Sequence, residues 1–269
     1  MSLTGAAAAP ARAAWRLTLV LGLLGLALGW ATHVSAAPSP LSIAAASDLQ
    51  VVLPRIVKQF EAESGQSVRL TFGSSGTFFA QISNGAPFDL FLSADIDYPR
   101  TLVARGKADR ESLYSYALGQ LVLWSRNGSG VDLQRGLSAL SDPAVGRIAI
   151  ANPGHAPYGR AAMAAFERAG ITGQVKSRLV LGENVAQAAQ FAQSGNASVG
   201  LVPLALALSP ALSSQGRYVA VPASMFPPII QAAVVVSASA NRTVAGEFIA
   251  FLKRPAVIAQ LSQAGFLAP

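Results

Sequence analysis

The sequence predicts an α/β protein built on parallel sheets with helices on both faces. Three observations point there. Short apolar runs of β type alternate along the chain with segments whose apolar residues recur at helical spacing. Turns rich in Gly, Ser, Asn and Pro stand between them. The chain has 269 residues, is 52% hydrophobic and contains no cysteine, so it can bury a sizeable core and must stand on that core without disulfides.

The elements come in order along the chain. "LSIAAA" (41–46) reads as a buried strand, and 49–60 carries Leu49, Val52, Leu53, Ile56 and Phe60 on one helical face. Pro54 either kinks that helix or marks its start. "SVRLTF" (67–72) is a second strand, followed by a helix over 76–83, a strand "FDLFLSA" (88–94) and a helix over 98–105. "QLVLWS" (120–125) is a strand, 137–140 a short helix and "RIAIA" (147–151) a strand, with a helix at 158–169. "RLVL" (178–181), a helix at 185–193, and "SVGLVP" (198–203) come next. "RYVAVP" and "IIQAAVVVSA" are strands, and 244–252 and 255–264 are two closing helices.

The first part stands outside this pattern. Arg12 and Arg16 precede the apolar run "LTLVLGLLGLALGWA" (17–31), and small residues follow through Ala36 and Ala37. A positive start, a short apolar core and a small-residue end are the marks of a secretory signal peptide over 1–37, with cleavage near Ala36 or Ala37. The run is shorter than the roughly 20 residues of a spanning helix. No later segment is apolar enough to span. The leader holds Arg12 and Arg16 and no acid, so the formal charge of +7 falls to +5 without it. The remaining charges are scattered, with no basic run and no interleaved aromatics, which argues against nucleic acid as a partner.

In open α/β sheets ligands bind beyond the carboxyl ends of the strands. That rule selects four turns. In "AAASDL", Ser47 follows a strand and either caps a helix or offers its hydroxyl to a ligand. Asp48 beside it would repel an anion, so its carboxylate is expected to turn away and its backbone N–H to point in. "FGSSGT" puts Ser74 and Ser75 where a strand hands over to a helix. It is either an anion cradle made of N–H and hydroxyl groups or a flexible cap. It lacks the Lys of a phosphate-binding P-loop. "ANPGHAPYGRAA" places Pro157 at a helix start and Tyr158 in the first turn, with its N–H free. "LGENVAQAAQ" places Val185 at the head of another helix. His155 is the single histidine after the leader, and no second His or Cys can join it on a metal. A nucleophilic Ser47 or Ser75 would need it as base, which is the one route to an exported serine hydrolase.

Taken in order, these turns resemble a known family. "AAASDLQ", "FGSSGTFFAQISNGAPFDLFLSAD", "RIAIANPGHAPYGRAA", "ENVAQAAQFAQSG" followed by "GLV", and "FIAFLKRPAVIAQLSQAGF" are similar to the periplasmic molybdate-binding proteins of ABC transporters. The resemblance covers nearly the whole chain after the leader. It implies a two-lobed periplasmic-binding-protein fold of type II, with mixed sheets flanked by helices and the ligand in the cleft. One lobe is expected over 38–118 with 231–269 and the other over 119–230, joined by crossover strands near 118–120 and 229–233.

The resemblance also implies a function. A tetrahedral molybdate or tungstate dianion is held by neutral donors and delivered to a membrane permease by a monomeric binding protein, with no catalysis and no cofactor. By position, Ser47 and Ser75 match the family's two binding serines, and Tyr158 and Val185 its backbone donors. Many relatives carry a Tyr hydroxyl donor where this chain has Pro203, which offers neither O–H nor N–H. A site made of donors alone also rejects hydrogen phosphate, whose proton would find no acceptor. Another tetrahedral oxyanion such as sulfate is the alternative cargo.

Overall fold

The structure, a computed structural model, describes residues 39–269, so the expected signal peptide and its cleavage site lie outside the described residues. Strand β1 (Leu41–Ala46) is buried along nearly all its length, which explains why its sequence is a continuous apolar run. After a helical turn at Ser47–Leu49, α1 spans Leu53–Ser64. Pro54 sits in its first turn, so this proline starts the helix instead of kinking it. Gly65 stops it in the left-handed conformation, φ 71°. Then come β2 (Val68–Gly73), α2 (Ser75–Ser83), β3 (Leu90–Ser93), α3 (Asp97–Ala104) and β4 (Tyr114–Gly119).

The chain then enters a second sheet with β5 (Leu121–Arg126). An irregular helical stretch, Leu133–Ser141, is broken at Gly136, where φ is 57°, so the short helix expected at 137–140 is part of a longer kinked segment. Next come β6 (Ile148–Ala151), α4 (Pro157–Arg168), β7 (Leu179–Gly182), α5 (Val185–Ser194), β8 (Val199–Pro203) and β9 (Gly216–Ala220). The chain returns to the first sheet as β10 (Ile229–Val235) and ends in α6 (Arg242–Leu252) and α7 (Pro255–Gln263). No helix among the described residues is long and apolar enough to cross a membrane.

The first sheet has the order β2-β1-β3-β10-β4, and the second β7-β6-β8-β5-β9. Within each, three strands are parallel: β2, β1 and β3 in the first, and β7, β6 and β8 in the second. β10 runs antiparallel to β3 and β4, and β5 antiparallel to β8 and β9. The sheets are mixed, as the family resemblance implied, where strand–helix alternation by itself suggests parallel ones. The reason is connectivity. β4 reaches β5 through Gln120 alone, and β9 reaches β10 without a crossover helix, so these strands arrive from the opposite direction. β4 carries three hydroxyl-bearing residues, Tyr114, Ser115 and Tyr116, and the sequence pattern did not single it out; only the resemblance placed a crossover at its end.

Helices α1 and α6 pack on the first sheet through Phe60, Phe248 and Phe251, whose rings meet edge to face at 5.0 and 5.5 Å, and α7 joins the same core through Val257 and Leu261. The second sheet closes over Trp124, Leu140, Ile150 and Phe166. Register aligns the strand ends. Ala46 pairs with Gly73 at the end of β1 and β2, and Ala151 with Gly182 at the end of β6 and β7. Each sheet thus ends two adjacent parallel strands at one edge, and every one of the four selected turns starts there.

Candidate anion-binding site

Three of the four turns open helices of nine residues or more, and the fourth opens the helical turn at Ser47. A helix start leaves its first N–H groups without intrahelical acceptors. At α5, Asn184 caps the helix by accepting from the N–H of Ala186 (2.9 Å) and Gln187 (3.1 Å), which leaves the Val185 N–H uncommitted. At α4, Pro157 occupies the first turn and the Arg160 N–H is the first to bond back, to the Ala156 carbonyl. The Tyr158 N–H precedes it and has no helical acceptor. At α2, Ser74 stands at the cap position without a capping bond, and the Phe78 N–H bonds to the Ser74 carbonyl.

These four starts meet around one small cavity. Ala46, Ser47 and Asp48 line it from the first turn, Gly73, Ser74 and Ser75 from the second, Ala156, Pro157 and Tyr158 from the third, and Asn184 and Val185 from the fourth. Ala94 completes it from the end of β3. The space open to water is about 10 Å³, room for about one water and far below the several hundred Å³ of a pocket for a drug-sized molecule. No Lys, Arg or His side chain lines it, and Asp48 and Tyr158 are its two ionisable residues. Among the described residues no cluster of His, Cys, Asp and Glu could hold a metal ion.

All five residues singled out in the sequence line this cavity. Ser75 is buried, and its Oγ accepts the Ala94 N–H at 2.9 Å, which leaves the hydroxyl proton to donate. The Ser47 hydroxyl donates to the Gly73 carbonyl at 3.1 Å. Ser74 has a different task. Its hydroxyl donates to the His155 carbonyl at 2.6 Å, and His155 Nδ1 lies 3.0 Å from the same Oγ. Since that hydroxyl proton is already given away, Nδ1 is the donor to Oγ. His155 therefore meets Ser74, not Ser47 or Ser75, and it takes no proton from a serine. Pro203 ends β8 opposite Leu121 and does not line the cavity.

Asp48 is the residue whose surroundings the sequence did not reveal. It is fully buried. Its Oδ2 accepts from the Gln231 amide, and Oδ1 has no partner. Gln231 Nε2 also reaches the Tyr158 hydroxyl at 3.2 Å, and the Tyr116 hydroxyl donates to Gln231 Oε1 at 2.7 Å. Burial pushes the Asp48 carboxyl up to about 6 despite the bonds from Gln231 and Tyr158 and from the N–H groups of Asp48 and Leu49. Burial next to Asp48 also raises the Tyr116 and Tyr158 phenols well above their usual value, so both stay neutral. The carboxylate is held by the Gln231 amide of β10, and its own N–H is among the groups that ease its burial.

Contacts between the two sheets' loops surround the cavity. The Gly76 N–H donates to the His155 carbonyl at 2.9 Å, and Arg160 on α4 pairs with Asp95 and donates to the Tyr98 hydroxyl at 3.0 Å. Thr77 reaches Glu183 at 3.4 Å, and Glu183 lies 3.6 Å from His155 Nε2. A broader, more open groove bordered by Gln50, Gln187 and Gln190 gathers no such set of helix-start donors.

Comparisons with known proteins give the chain's family and fold. The family model of bacterial extracellular solute-binding proteins matches residues 41–267. The molybdate-binding protein ModA of Azotobacter vinelandii is 37% identical over 236 residues, covering 87% of this chain and 93% of the relative. That of Rhodobacter capsulatus is 35% identical over 250 residues, covering 93% and 97%. The solved Azotobacter vinelandii periplasmic molybdate-binding protein superposes with a TM-score of 0.79 at 35% identity, covering 85% of this chain and 99% of that one. The sulfate-binding protein SubI of Mycobacterium tuberculosis, at 16% identity and a TM-score of 0.69, shares the fold. With a family model over nearly all of the described residues and relatives of more than 30% identity over nearly their full length, this chain belongs to the bacterial extracellular solute-binding proteins, has their two-lobed fold of mixed sheets, and is a binding protein, not an enzyme.

Proposed function

We propose that this protein captures molybdate in the periplasm, and tungstate equally, and hands the anion to the permease of an ABC transporter. The observation that carries the reading is the convergence of four helix or turn starts on a small cavity without a cationic side chain. A dianion stripped of water must recover its hydration through many hydrogen bonds. Helix N-termini supply N–H groups and a favourable dipole for that purpose. Ser75 donates through its free hydroxyl, Ser47 by turning its hydroxyl from the Gly73 carbonyl to the anion, and Tyr158 and Val185 through backbone N–H groups. Asp48 adds its own N–H once the carboxylate releases it. Donors arriving from four turns suit a tetrahedral anion, and similarity to the ModA proteins supports molybdate over sulfate.

The lobes are 38–118 with 231–269, and 119–230, and they close over the anion as a monomer. The leader over 1–37 is removed near Ala36 or Ala37 on export. Titration calorimetry with molybdate, tungstate, sulfate and phosphate tests the reading. Molybdate and tungstate are expected to bind with similar affinity, and sulfate at least about tenfold more weakly, which corresponds to one lost or poorly formed hydrogen bond to a charged ligand. Sulfate competing as well as molybdate would make this a sulfate-binding protein. Calorimetry suits the chain better than fluorescence, because Trp124 is wholly buried in the second sheet and does not line the cavity.

A further inference from the structure

The buried network behind the cavity plays no part in anion capture by neutral donors. A fully buried carboxylate with no cationic partner lines a cavity proposed to hold a dianion. Every element packed around it leaves it uncompensated. β10 presents the neutral Gln231, β4 the Tyr116 phenol, and α4 the Tyr158 phenol. From β2 the ionisable residue is Arg69, exposed and paired in register with Ser42, at the opposite end of β1 from Asp48. α5 and the short helix Leu204–Ala207 carry no ionisable side chain. Around the cleft Arg160 is paired with Asp95, and Glu183 lies 3.6 Å from His155 Nε2. Oδ1 makes no hydrogen bond of good geometry, and the Tyr158 hydroxyl and the Asp48 and Leu49 N–H groups nearby offset the burial only in part.

Two negative groups sharing one water-poor site cannot both stay ionised without a large penalty, and the one that can take a proton does so. We propose that the oxyanion enters this cavity together with one proton from solvent, carried by the Asp48 carboxyl, so that the site binds a dianion plus a proton. The proposal rests on the reading of the cavity as an oxyanion site. The proton comes from water or buffer and settles on Oδ1, while Oδ2 keeps its bond from Gln231. No other bond forms or breaks, and the site gains one negative charge instead of two.

The same geometry has two consequences. A neutral carboxyl loosens its hold on the Asp48 N–H, which joins the donors and offsets the Tyr hydroxyl that Pro203 lacks. It also removes the one strong acceptor beside the cavity, which preserves discrimination against hydrogen phosphate. Burial holds the Asp48 carboxyl up at about 6, and a dianion beside it raises it further. Above pH 6 the empty site is ionised and the filled site protonated, so binding takes up a proton and the affinity falls as pH rises.

Calorimetry of the full mature chain with molybdate tests this, in buffers of different ionisation enthalpy from pH 6 to 8.5, where the anion is already a dianion. The expected result is uptake approaching about one proton per anion and a Kd that rises by up to about tenfold per pH unit above 6. Asp48→Asn should abolish both the uptake and the slope, and the wild-type uptake stands on its own should that variant not fold. Tight molybdate binding with no proton uptake at any pH, or an unchanged slope in Asp48→Asn, overturns the inference and leaves the oxyanion site standing. No binding of any oxyanion at any pH overturns both.

Discussion

Two serines divide the work of one turn, and the division is visible in where each proton goes. Ser75 accepts from Ala94 and keeps its proton for a ligand, whereas Ser74 gives its proton to the His155 carbonyl. Ser75→Ala removes a donor to the anion and strands the buried Ala94 N–H, so its affinity loss is expected at about 1.5–3 kcal/mol, or ten- to a hundredfold. Calorimetry with molybdate measures it, and a loss of less than threefold would remove Ser75 from the site. At the same scale, Asp48 makes the empty protein sensitive to pH. Its folded value of about 6 stands above the ordinary 3.8, so the folded state binds the extra proton. The stability it contributes is fully present below pH 4 and is lost as pH rises through 6, by about 3 kcal/mol in all. Thermal unfolding of the empty protein should therefore weaken from pH 4.5 to 7 by more in the wild type than in Asp48→Asn; equal slopes would mean that Asp48 stays ionised. Ser47, Ser75, Tyr158 and Val185 were legible in the sequence because each follows a strand end and heads a helix. Gln231 was not read as part of the site, although a lone Gln inside the apolar run "IIQAAVVV" was its signal. A buried amide there needs polar partners, and Asp48, Tyr116 and Tyr158 are those partners.

Among the elements, α2 is the one whose position depends on a missing side chain. A Cβ on Gly76 would lie 2.6 Å from the His155 carbonyl oxygen and 2.8 Å from both His155 Cα and the Tyr98 hydroxyl. The backbone at His155 cannot give way without moving the start of α4. Gly76→Ala is therefore expected to cut molybdate affinity by more than about tenfold while shifting the unfolding temperature little, because the collision lies between the lobes and not in a core. A fall in stability with unchanged affinity would place the glycine's role inside its own lobe. Most elements could be read from spacing, since α1, α4, α5, α6 and α7 each present an apolar face at helical period. Strand direction could not. Alternation of strands and helices favours parallel pairing, and nothing within β5 or β10 announces that the chain enters those strands straight from the other sheet. Direction is set by the path between sheets, which is long-range information.

On the scale of the whole molecule, the two sheets carry half a site each and become a site by meeting. Arg160 joins them by pairing with Asp95 and reaching the Tyr98 hydroxyl and ring. Asp95 follows Ala94, which holds Ser75, and Arg160 follows Tyr158 by two residues, so this clasp grips both halves beside the anion. Both charged groups are partly exposed, which limits the pair's contribution. Arg160→Met should raise the dissociation rate of molybdate about three- to tenfold with little change in association. Stopped-flow mixing separates the two rates, and a change confined to association would assign Arg160 to steering the anion and not to holding the lobes shut. The central claim, a cradle of neutral donors for one tetrahedral dianion, is tested most directly by titrating the purified protein with molybdate, tungstate, sulfate and phosphate at pH 6, one site per chain. The account predicts tight and similar binding of molybdate and tungstate at one anion per protein, weaker sulfate, and no measurable phosphate. Phosphate or sulfate binding as tight as molybdate would contradict it.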